Sequence, residues 1–432
     1  MKRYVILLLM LTTAFWSCSE NENPVEQSCP SGKIVAGFVY SPNIDNNASE
    51  QVAGRSVYIY EPPEYMVSDI DSFELYIETR EPYGADSINV DTTHIVYYVR
   101  DSEYPSLYLL HGFGGNADYF TDIYMLQDIM DEMIANGEII PMIVITPDCS
   151  NSFGGSFYTN SESVYVDTLD EYLSFTGQYE DFIVNELMDY MTINYNIDTT
   201  AESRAISGHS MGGYGAMKIA MKHPELFGSV SSMSGPLAFP YFINTGVFDS
   251  VFARNDFNPS DPPTAEDSAA FYAIVASADD DLTSMMFAMG AAFSPHDRLS
   301  DDTTYFHRLR EVDYYGIDLP FNASGEIGVE SDTLVWPKWL SNDVYSMVAG
   351  ANFDAAFGNL AIFFDCGDAD QLGLAYQNQA FDQALSTAEI PHTYEEYSGY
   401  SGFNADHSAY IAERLRVILK FHSDQFVLAA AE

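Results

Sequence analysis

Short apolar runs separated by helix-like patterns dominate the chain. Runs of this length, rich in aliphatic and β-branched residues, are typical of buried strands. Five of them are SLYLLHG (106–112), MIVITPD (142–148), RAISGHS (204–210), GSVSSMSG (228–235) and LAIFFDCG (360–367). The stretch YEDFIVNELMDYMTINY (179–195) places apolar residues at helical spacing before the third run. Strands alternating with helices predict an α/β fold, with a mainly parallel central sheet and helices on both faces.

Other segments depart from this pattern. GRSVYIYEPPEY (54–65) predicts an alternating strand that ends at Pro62 and Pro63, whereas FELYIETR (73–80) and HIVYYVR (94–100) predict antiparallel edge strands. After Gly235 the pattern is lost for more than a hundred residues. Residues 236–350, rich in Asp, Pro and aromatic side chains, therefore predict a long insertion or cap between late, consecutive sheet strands.

The N-terminus carries a processing signal. Lys2 and Arg3 precede an apolar run that is too short to span a bilayer comfortably, and FWSCSENENP follows it. This predicts a lipoprotein signal peptide over 1–17, Cys18 as the lipid anchor, a flexible tether over 18–33 and the main domain over 34–432. The expected location is the bacterial outer membrane or cell surface. Secretion without a lipid, or a periplasmic location, is the alternative.

The charge balance limits the partners. The 432 residues include 64 acidic and 17 basic side chains, for a formal net charge of −47. Such a surface repels nucleic acid and other polyanions, so a nucleic-acid partner is excluded. The same charge also fits solubility in a salty exterior, where screening relieves self-repulsion.

The motif GHSMG (208–212) is a candidate nucleophile turn. RAIS precedes it as a strand, and GAMKIAMKHP follows it as a helix that stops at Pro224. A serine in G-x-S-x-G at a sharp strand-to-helix turn projects its hydroxyl above the sheet. The context predicts Ser210 as the nucleophile. The amide of Met211, at the start of the helix, is predicted to stabilise an oxyanion.

Three segments carry a family resemblance: YPSLYLLHGFGGN (104–116), GHSMGGYGAMKIAMKHPELFGSVSSMSG (208–235) and CGDADQ (366–371) with a later histidine. They resemble the esterase family of α/β-hydrolases that includes feruloyl and acetylxylan esterases of carbohydrate esterase family 1, S-formylglutathione hydrolase and mycolyltransferases of the antigen 85 type. The resemblance covers roughly 55–62, 104–235 and 358–421. It implies an α/β-hydrolase fold and a serine esterase that needs no cofactor.

The chain order of such hydrolases places the histidine after the acid. Three histidines follow LAIFFDCG. His392 opens the strand HTYEEYSG at the opposite end of the sheet from Ser210, and His422 lies within the terminal helix AYIAERLRVILKFH. His407 lies in the loop between that strand and that helix. It is therefore the predicted catalytic base.

The acid comes from a cluster. Asp365, Asp368 and Asp370 all lie at the carboxyl end of one predicted strand. The resemblance matches the spacing G-x-x-D, which selects Asp370, with Asp368 as the second candidate. Its role would be to hold the imidazole in the right tautomer and to stabilise the imidazolium.

The resemblance also implies a second oxyanion donor, the amide of Phe113, in a glycine-rich loop that lets the backbone approach the substrate. As an alternative, GFGG (112–115) is only a flexible turn. Aromatic side chains that could stack on a sugar or an aryl acid are Tyr158, Tyr214, Trp336 and Trp339. Such side chains are more often simply core.

The cysteines and histidines favour neither a disulfide between Cys149 and Cys366 nor a metal site. Cys149 and Cys366 follow strands that the predicted fold places four strand spacings apart, or about 19 Å, which is too far for a disulfide. No C-x-x-C or H-E-x-x-H spacing occurs. No metal site is therefore predicted.

The predicted function is an exported serine esterase that acts through an acyl-enzyme on acyl or feruloyl esters of neutral polysaccharides, with the membrane as a second partner through the anchor. An acyltransferase of the antigen 85 type would share every site residue. A non-catalytic glycan-binding surface lipoprotein should lack a member of the triad. A siderophore esterase would need a basic pocket, which 17 basic residues do not favour.

Overall fold

The structure is a computed structural model. It describes residues 31–44, 47–49, 54–63, 65, 73–82, 88–97, 103–166, 169, 171–244, 281–296, 305–308, 314–320, 335–348, 350, 355–400 and 402–431. The predicted signal peptide, Cys18 and most of the predicted tether lie outside these residues. Within them, no helix combines the length and the apolar character that a bilayer crossing requires.

An eight-stranded sheet organises the molecule, in the order β1-β2-β4-β3-β5-β6-β7-β8. Its strands are β1 Lys33–Tyr40, β2 Gly54–Glu61, β3 Ser106–Leu110, β4 Ile143–Pro147, β5 Arg204–Gly208, β6 Ser229–Met233, β7 Ala361–Gly367 and β8 Thr393–Tyr397. Strands β3 to β8 pair in parallel, whereas β2 pairs antiparallel with both β1 and β4. The mainly parallel sheet predicted from the apolar runs is confirmed.

Helices cover both faces of this sheet. They are α1 Leu126–Ala135, α2 Met188–Asn194, α3 Met211–Lys222, α4 Leu374–Thr387 and α5 Ile411–Ala429. The helix predicted over 179–195 forms in three parts, because a short helix Tyr179–Asp181 and a π-helix Phe182–Leu187 lead into α2.

Alternate residues of the central strands separate two apolar cores. Tyr108 and Leu110 of β3 join the core that holds α2, α3 and α4, and Leu107 and Leu109 join the core that holds α1 and α5. Each aliphatic side chain buried in this way stabilises the fold by roughly 1.5 to 3 kcal/mol relative to exposure. The sheet is therefore held rigid from both sides, which fixes the strand ends that carry the site.

Two strand predictions differ from the structure. Phe73–Pro82 and Ile88–Tyr97 are antiparallel to each other, but they form a separate two-stranded sheet and are not edges of the main one. The edge strand β1 was not predicted. Phe38 and Tyr40 of β1 are 56% and 60% exposed, so apolar side chains face solvent. The sequence of β1 therefore lacks the alternation of apolar and polar residues that marks a half-buried strand. Strand β1 begins at Lys33, the end of the predicted tether.

The insertion predicted over 236–350 lies between β6 and β7, which are neighbours in the sheet. Its described elements are the helices Pro240–Asn244, Asp281–Phe293, Trp336–Ser341 and Val344–Val348 and a three-stranded antiparallel sheet of Pro295–His296, Tyr305–Arg308 and Tyr314–Ile317. Phe293 and Trp339 are buried in the same core as α3. The described parts of the insertion therefore pack into the body of the molecule. A two-stranded sheet of Ser163–Val166 and Glu171–Ser174 completes the set of described strands.

Two cysteines lie at strand ends of the sheet. Cys149 follows β4 and Cys366 lies in β7, and both are buried free thiols. Strands β3, β5 and β6 lie between β4 and β7. The predicted separation of four strand spacings is confirmed.

Candidate active site

Ser210 stands at a strained turn between β5 and α3. Its φ is +57° and its ψ is −120°, an unusual conformation for a residue with a side chain. Such strain costs on the order of 1 to 3 kcal/mol and is typical of functional sites. A Cβ added at Gly208 would lie 2.4 Å from the carbonyl carbon of Gly212, and one at Gly212 would lie 2.0 Å from the oxygen of Leu110. Both glycines are therefore required for the turn to fit between the strands.

Neighbouring strands hold this turn in place. The Ser210 N–H donates to the oxygen of Met233 at the end of β6, at 2.8 Å, and the His209 N–H donates to the oxygen of Leu110 at the end of β3, at 3.2 Å. The strain at Ser210 is thus offset by main-chain hydrogen bonds on both sides.

The structure brings Ser210, His407 and Asp370 together. His407 Nε2 lies 2.8 Å from Ser210 Oγ, and His407 Nδ1 lies 2.8 Å from Asp370 Oδ2. An ionised carboxylate can only accept hydrogen bonds, so Nδ1 of a neutral His407 carries the proton and Nε2 accepts from the serine hydroxyl. The His407 side chain is 11% exposed, so the group is largely shielded from water.

Asp370 remains an anion in this setting. Burial raises the pKa of its carboxyl, but hydrogen bonds from His407 and from the N–H of Leu372, which lies 2.9 Å from Oδ1, lower it more. The pKa of Asp370 is therefore held below its usual range. The anion can stabilise a positive charge that forms on His407.

The other candidate acids and histidines lie elsewhere. Asp365 accepts from Arg414 Nε at 2.8 Å, and Asp368 accepts from the hydroxyl of Ser398 at 2.6 Å. His392 precedes β8 and lies 3.0 Å from Asp382 Oδ1, at the amino end of the strand. His422 lies in α5 and contacts the hydroxyls of two serines of β6.

The loop after β3 carries Phe113. Its glycines are held by hydrogen bonds, from the Gly115 N–H to the Gly112 oxygen and from the Gly114 N–H to the Gly154 oxygen, both at 3.0 Å. The loop is therefore a fixed turn. In the described part of the chain, the amides of Phe113 and Met211 have no hydrogen-bond acceptor. Both amides are free to donate to an oxyanion.

The interpretation of Tyr158 and Tyr214 as stacking surfaces is wrong. Both rings are fully buried, with no exposed area. The Tyr158 hydroxyl donates to the oxygen of His111 at 2.8 Å, and the Tyr214 hydroxyl donates to the oxygen of Asn342 at 2.7 Å. Because both hydroxyls find partners inside the core, these rings act in packing.

The same correction applies to Trp339. Its ring has no exposed area, packs edge-on against Phe293 at 5.5 Å and donates from Nε1 to Ser294 Oγ at 2.9 Å. Trp336 is half-buried, with its ring centroid 6.4 Å from that of Trp339. The structure brings neither ring into contact with the triad among the contacts it describes.

Exposed aromatic side chains lie instead on the loop that carries His407. Phe403 is 71% exposed and Tyr400 is 50% exposed, and the Tyr400 ring stacks on Tyr410 at 4.2 Å. Phe403 also lines an open cavity of about 510 Å³, together with Gly402, Asn404, Asp406, Ala409 and Tyr410. Sequence reasoning missed these residues because no periodic pattern marks them.

Buried histidines support the site and were also missed. His111 Nε2 accepts the N–H of Cys149 at 2.9 Å, so its Nδ1 carries the proton and donates to the oxygen of Gly112 at 2.8 Å. Burial lowers the pKa of His111, which keeps it neutral. His209 contacts the main chain of His407. Both histidines lie within the quoted motifs, but nothing in the spacing of the sequence indicates their partners.

Residues 85–413 match the sequence model of a protein family that is described as a putative esterase. The chain belongs to the esterase family. The matched range contains Ser210, Asp370, His407, Phe113 and Met211. This confirms the family indicated by the sequence motifs.

Among the described residues, no group of three or more His, Cys, Asp or Glu could hold a metal ion.

Curated relatives of this esterase-family chain match part of it. An esterase of Mycobacterium tuberculosis is 33% identical over 143 residues, which are 32% of this chain and 27% of that protein. An endo-1,4-beta-xylanase/feruloyl esterase of Xylanibacter ruminicola is 32% identical over 143 residues, which are 33% of this chain and 18% of that protein. The match thus spans about a quarter or less of these relatives' length.

Solved structures show the same fold. A ferulic acid esterase aligns with a TM-score of 0.52 at 20% identity, over 92% of this chain and 99% of that one. An S-formylglutathione hydrolase from Agrobacterium tumefaciens aligns with a TM-score of 0.50 at 16% identity, over 92% of this chain and 96% of that one. The predicted α/β-hydrolase fold is confirmed.

Proposed function

We propose that the protein is a serine esterase that hydrolyses carboxylic esters through an acyl-enzyme on Ser210. One observation carries this proposal: an unbroken series of 2.8 Å contacts from the anionic Asp370 through His407 to a serine in a strained turn. A base that contacts the nucleophile, and an acid that orients the base, are the parts that such a reaction needs.

Acylation follows from the placement of the protons. As Ser210 Oγ attacks the ester carbonyl carbon, its proton moves to His407 Nε2, and Asp370 stabilises the imidazolium. The carbonyl oxygen becomes an oxyanion, to which the amides of Met211 and Phe113 donate. When the tetrahedral intermediate collapses, His407 Nε2 returns the proton to the leaving alcohol, and the acyl group remains on Ser210.

Deacylation repeats these steps with water as the nucleophile. Water gives a proton to His407 Nε2 as it attacks the acyl carbon, and the same amides stabilise the second oxyanion. As this intermediate collapses, the bond from the acyl carbon to Ser210 Oγ breaks and His407 Nε2 returns the proton to Oγ, which releases the carboxylic acid and restores the hydroxyl. No cofactor enters this scheme.

The proposed substrates are acyl or feruloyl esters of neutral polysaccharides. Nine Lys and Arg side chains have contacts that the structure describes, and all nine are engaged within the protein. Carboxylates pair with Lys33, Lys218, Lys222, Lys338, Arg414, Arg416 and Lys420, and hydrogen bonds hold Arg55 and Arg204. A carboxylate on the substrate would find no spare cation among these residues and would meet a net charge of −47.

The exposed rings of Phe403 and Tyr400 support a glycan partner. Both rings lie on the loop that carries His407, and both are exposed to solvent. Aromatic rings stack on the apolar faces of sugars and on aryl acids. The name of the Xylanibacter ruminicola relative, which includes a feruloyl esterase, favours the same class of substrate.

The proposed location is the cell surface, with a lipid on Cys18. The charged and apolar N-terminal segment that precedes this cysteine motivates the proposal. Mass spectrometry of protein extracted from membranes should find an acylated N-terminus at Cys18, and Cys18→Ser should release the protein to the soluble fraction. An unmodified mature chain that begins elsewhere would contradict the anchor.

An ester panel tests the function. Purified protein is offered an aryl acetate, methyl ferulate and acetylated xylan, with and without a neutral sugar as acceptor, and products are identified by mass spectrometry. We expect the free acid to be the main product both with and without the sugar acceptor. Acyl transfer to the sugar as the main product would instead make the protein an acyltransferase, and no turnover of any ester would contradict the proposal.

A further inference from the structure

The main chain of His407 is held by two side chains from outside its own loop. Its N–H donates to Gln371 Oε1 at 3.0 Å. Its carbonyl oxygen lies 3.0 Å from Nε2 of His209, whose residue is only 2% exposed. Because His407 lies in a connection between β8 and α5, these contacts fix where its imidazole stands relative to Ser210.

The partners of His209 determine where its ring carries a proton. The carbonyl oxygen of His407 can only accept, so Nε2 of His209 carries the hydrogen. Nδ1 of the neutral ring is then an acceptor, and the Tyr119 hydroxyl at 2.7 Å donates to it. The two rings also stack, with planes 13° apart and centroids separated by 6.1 Å. Tyr119 therefore selects the His209 tautomer that can hold His407.

Electrostatics keep this arrangement neutral. Burial and then the proximity of His407 lower the pKa of His209 to about 3. The centroids of the two histidine rings are 5.1 Å apart. A neutral His209 places no like charge beside His407 when that ring takes the serine proton. Burial raises the pKa of Tyr119, so its hydroxyl keeps the hydrogen that it donates.

The loop of Phe113 packs on the same two side chains. A Cβ added at Gly112 would lie 3.3 Å from the Tyr119 hydroxyl oxygen and 3.4 Å from His209 Nδ1, and one at Gly115 would lie 2.8 Å from Tyr119 Cδ2. The glycines thus allow the backbone of this loop to approach the Tyr119–His209 contact closely. The pair of half-buried Tyr119 and buried His209 therefore touches both the histidine side and the oxyanion side of the site.

We propose that Tyr119 and His209 form a positioning pair, which orients His407 towards Ser210 through the carbonyl oxygen of His407 and supports the loop of Phe113. The inference rests on the proposed function, because it assigns a role in that reaction. Both residues act through His407 and the loop, and neither touches the reacting atoms.

Three variants test the pair against a matched control. His209→Leu removes the donor, His209→Gln keeps an N–H near the position of Nε2, and Tyr119→Phe removes the hydroxyl. With an aryl acetate, His209→Leu should lower kcat by about 10- to 100-fold with KM within about 3-fold, because misplacement of a base affects the chemical step. The kcat of His209→Gln should be about tenfold higher than that of His209→Leu. The kcat of Tyr119→Phe should be about 3- to 10-fold lower than that of the wild type. His422→Leu, which alters an equally buried histidine, should lower the thermal midpoint and leave kcat within about twofold.

Two outcomes would overturn the inference: a kcat for both His209→Leu and Tyr119→Phe within twofold of wild type, or equal losses in His209→Leu and His209→Gln that follow their thermal midpoints. Tyr119→Phe alone decides the question if the His209 variants do not fold. Ser210→Ala separates this failure from failure of the proposed function. If Ser210→Ala abolishes turnover while both His209→Leu and Tyr119→Phe keep a kcat within twofold of wild type, only the positioning role is wrong. If Ser210→Ala is active, the proposed function is wrong.

Discussion

Two histidines of the described residues, His407 and His422, make contacts of the same length with serine hydroxyls. Ser210 Oγ lies 2.8 Å from His407 Nε2 at the end of the sheet, and Ser229 Oγ lies 2.8 Å from His422 Nδ1 within β6. In the second contact Ser229 also acts as the donor. His422 Nε2 must donate to Ser231, whose own hydroxyl donates to Ser207. The distance alone therefore does not identify a nucleophile.

The two pairs differ in backbone, in charge and in access. Ser210 has a φ of +57°, whereas Ser229 lies in a regular strand. His407 has an anionic carboxylate on its second nitrogen, whereas His422 has a serine hydroxyl there. The His407 side chain is 11% exposed, and His422 is fully buried. An anion that stabilises an imidazolium, on a ring that a substrate can approach, separates a candidate catalytic pair from a structural one.

Hydrolysis should separate the two serines most strongly. Ser210→Ala should lower kcat/KM for an aryl acetate by on the order of 10⁵- to 10⁶-fold, because the triad acts as a unit. Ser229→Ala removes an equivalent hydroxyl donor from the buried pair and should keep kcat/KM within about 3-fold, at a cost of about 1 kcal/mol in the free energy of unfolding. Steady-state kinetics of both variants measures this. Comparable losses in the two variants would show that the structural difference between the pairs does not matter.

The carboxylate should account for the next largest effect. Asp370→Asn should lower kcat by about 10⁴-fold, because an amide no longer holds the imidazole in the right tautomer or stabilises its positive charge. Asp368→Asn, which changes an exposed acid two residues earlier, serves as the control and should be nearly silent. If Asp368→Asn had the larger effect on kcat, the acid would have to be reassigned.

The buried pair of Ser229 and His422 should make the stability of the protein depend on pH. Burial lowers the pKa of His422 to about 3, below the value of about 6.5 for an unfolded histidine. The unfolded state therefore binds more protons between these values, and the stability present above pH 6.5 is lost as pH falls towards 3. From pH 7 to 4, the free energy of unfolding of the wild type should fall by roughly 1 to 3 kcal/mol more than that of His422→Gln. Denaturant titrations at both pH values measure the difference, and parallel losses in the two proteins would contradict the buried neutral ring.

Substrate charge should have the smallest effect. Neutral esters should exceed matched uronic acid esters in kcat/KM by several-fold at low salt, since the surface is strongly negative. The ratio should approach one as salt is added, because screening shortens the range of the repulsion. A preference for the anionic ester at low salt would contradict the charge argument.

Much of the fold could be predicted from local pattern. Apolar runs located the central strands, and the glycines around Ser210 located the turn, because both signals lie within a few neighbouring residues. His407 was found because the chain order of the fold leaves one loop that can reach Ser210. These inferences need only the topology of the sheet.

The predictions that were wrong depend on contacts between distant residues. Trp339 is buried by Ser294 and Phe293, and Tyr214 bonds to Asn342, 128 residues away in the chain. The contact of His209 with His407 joins residues 198 positions apart. No spacing in a single sequence encodes such partners. The sequence alone therefore could not show whether a given aromatic ring is buried or exposed.

Covalent labelling tests the central claim most directly. The protein is treated with a fluorophosphonate, which reacts with activated serines, and the modified peptide is identified by mass spectrometry. We predict a single phosphonyl adduct on Ser210. His407→Ala should abolish formation of this adduct, and Ser229→Ala should leave its rate of formation unchanged. An adduct on another serine, or ester hydrolysis that persists after Ser210 is fully modified, would contradict the assignment of Ser210 as the nucleophile.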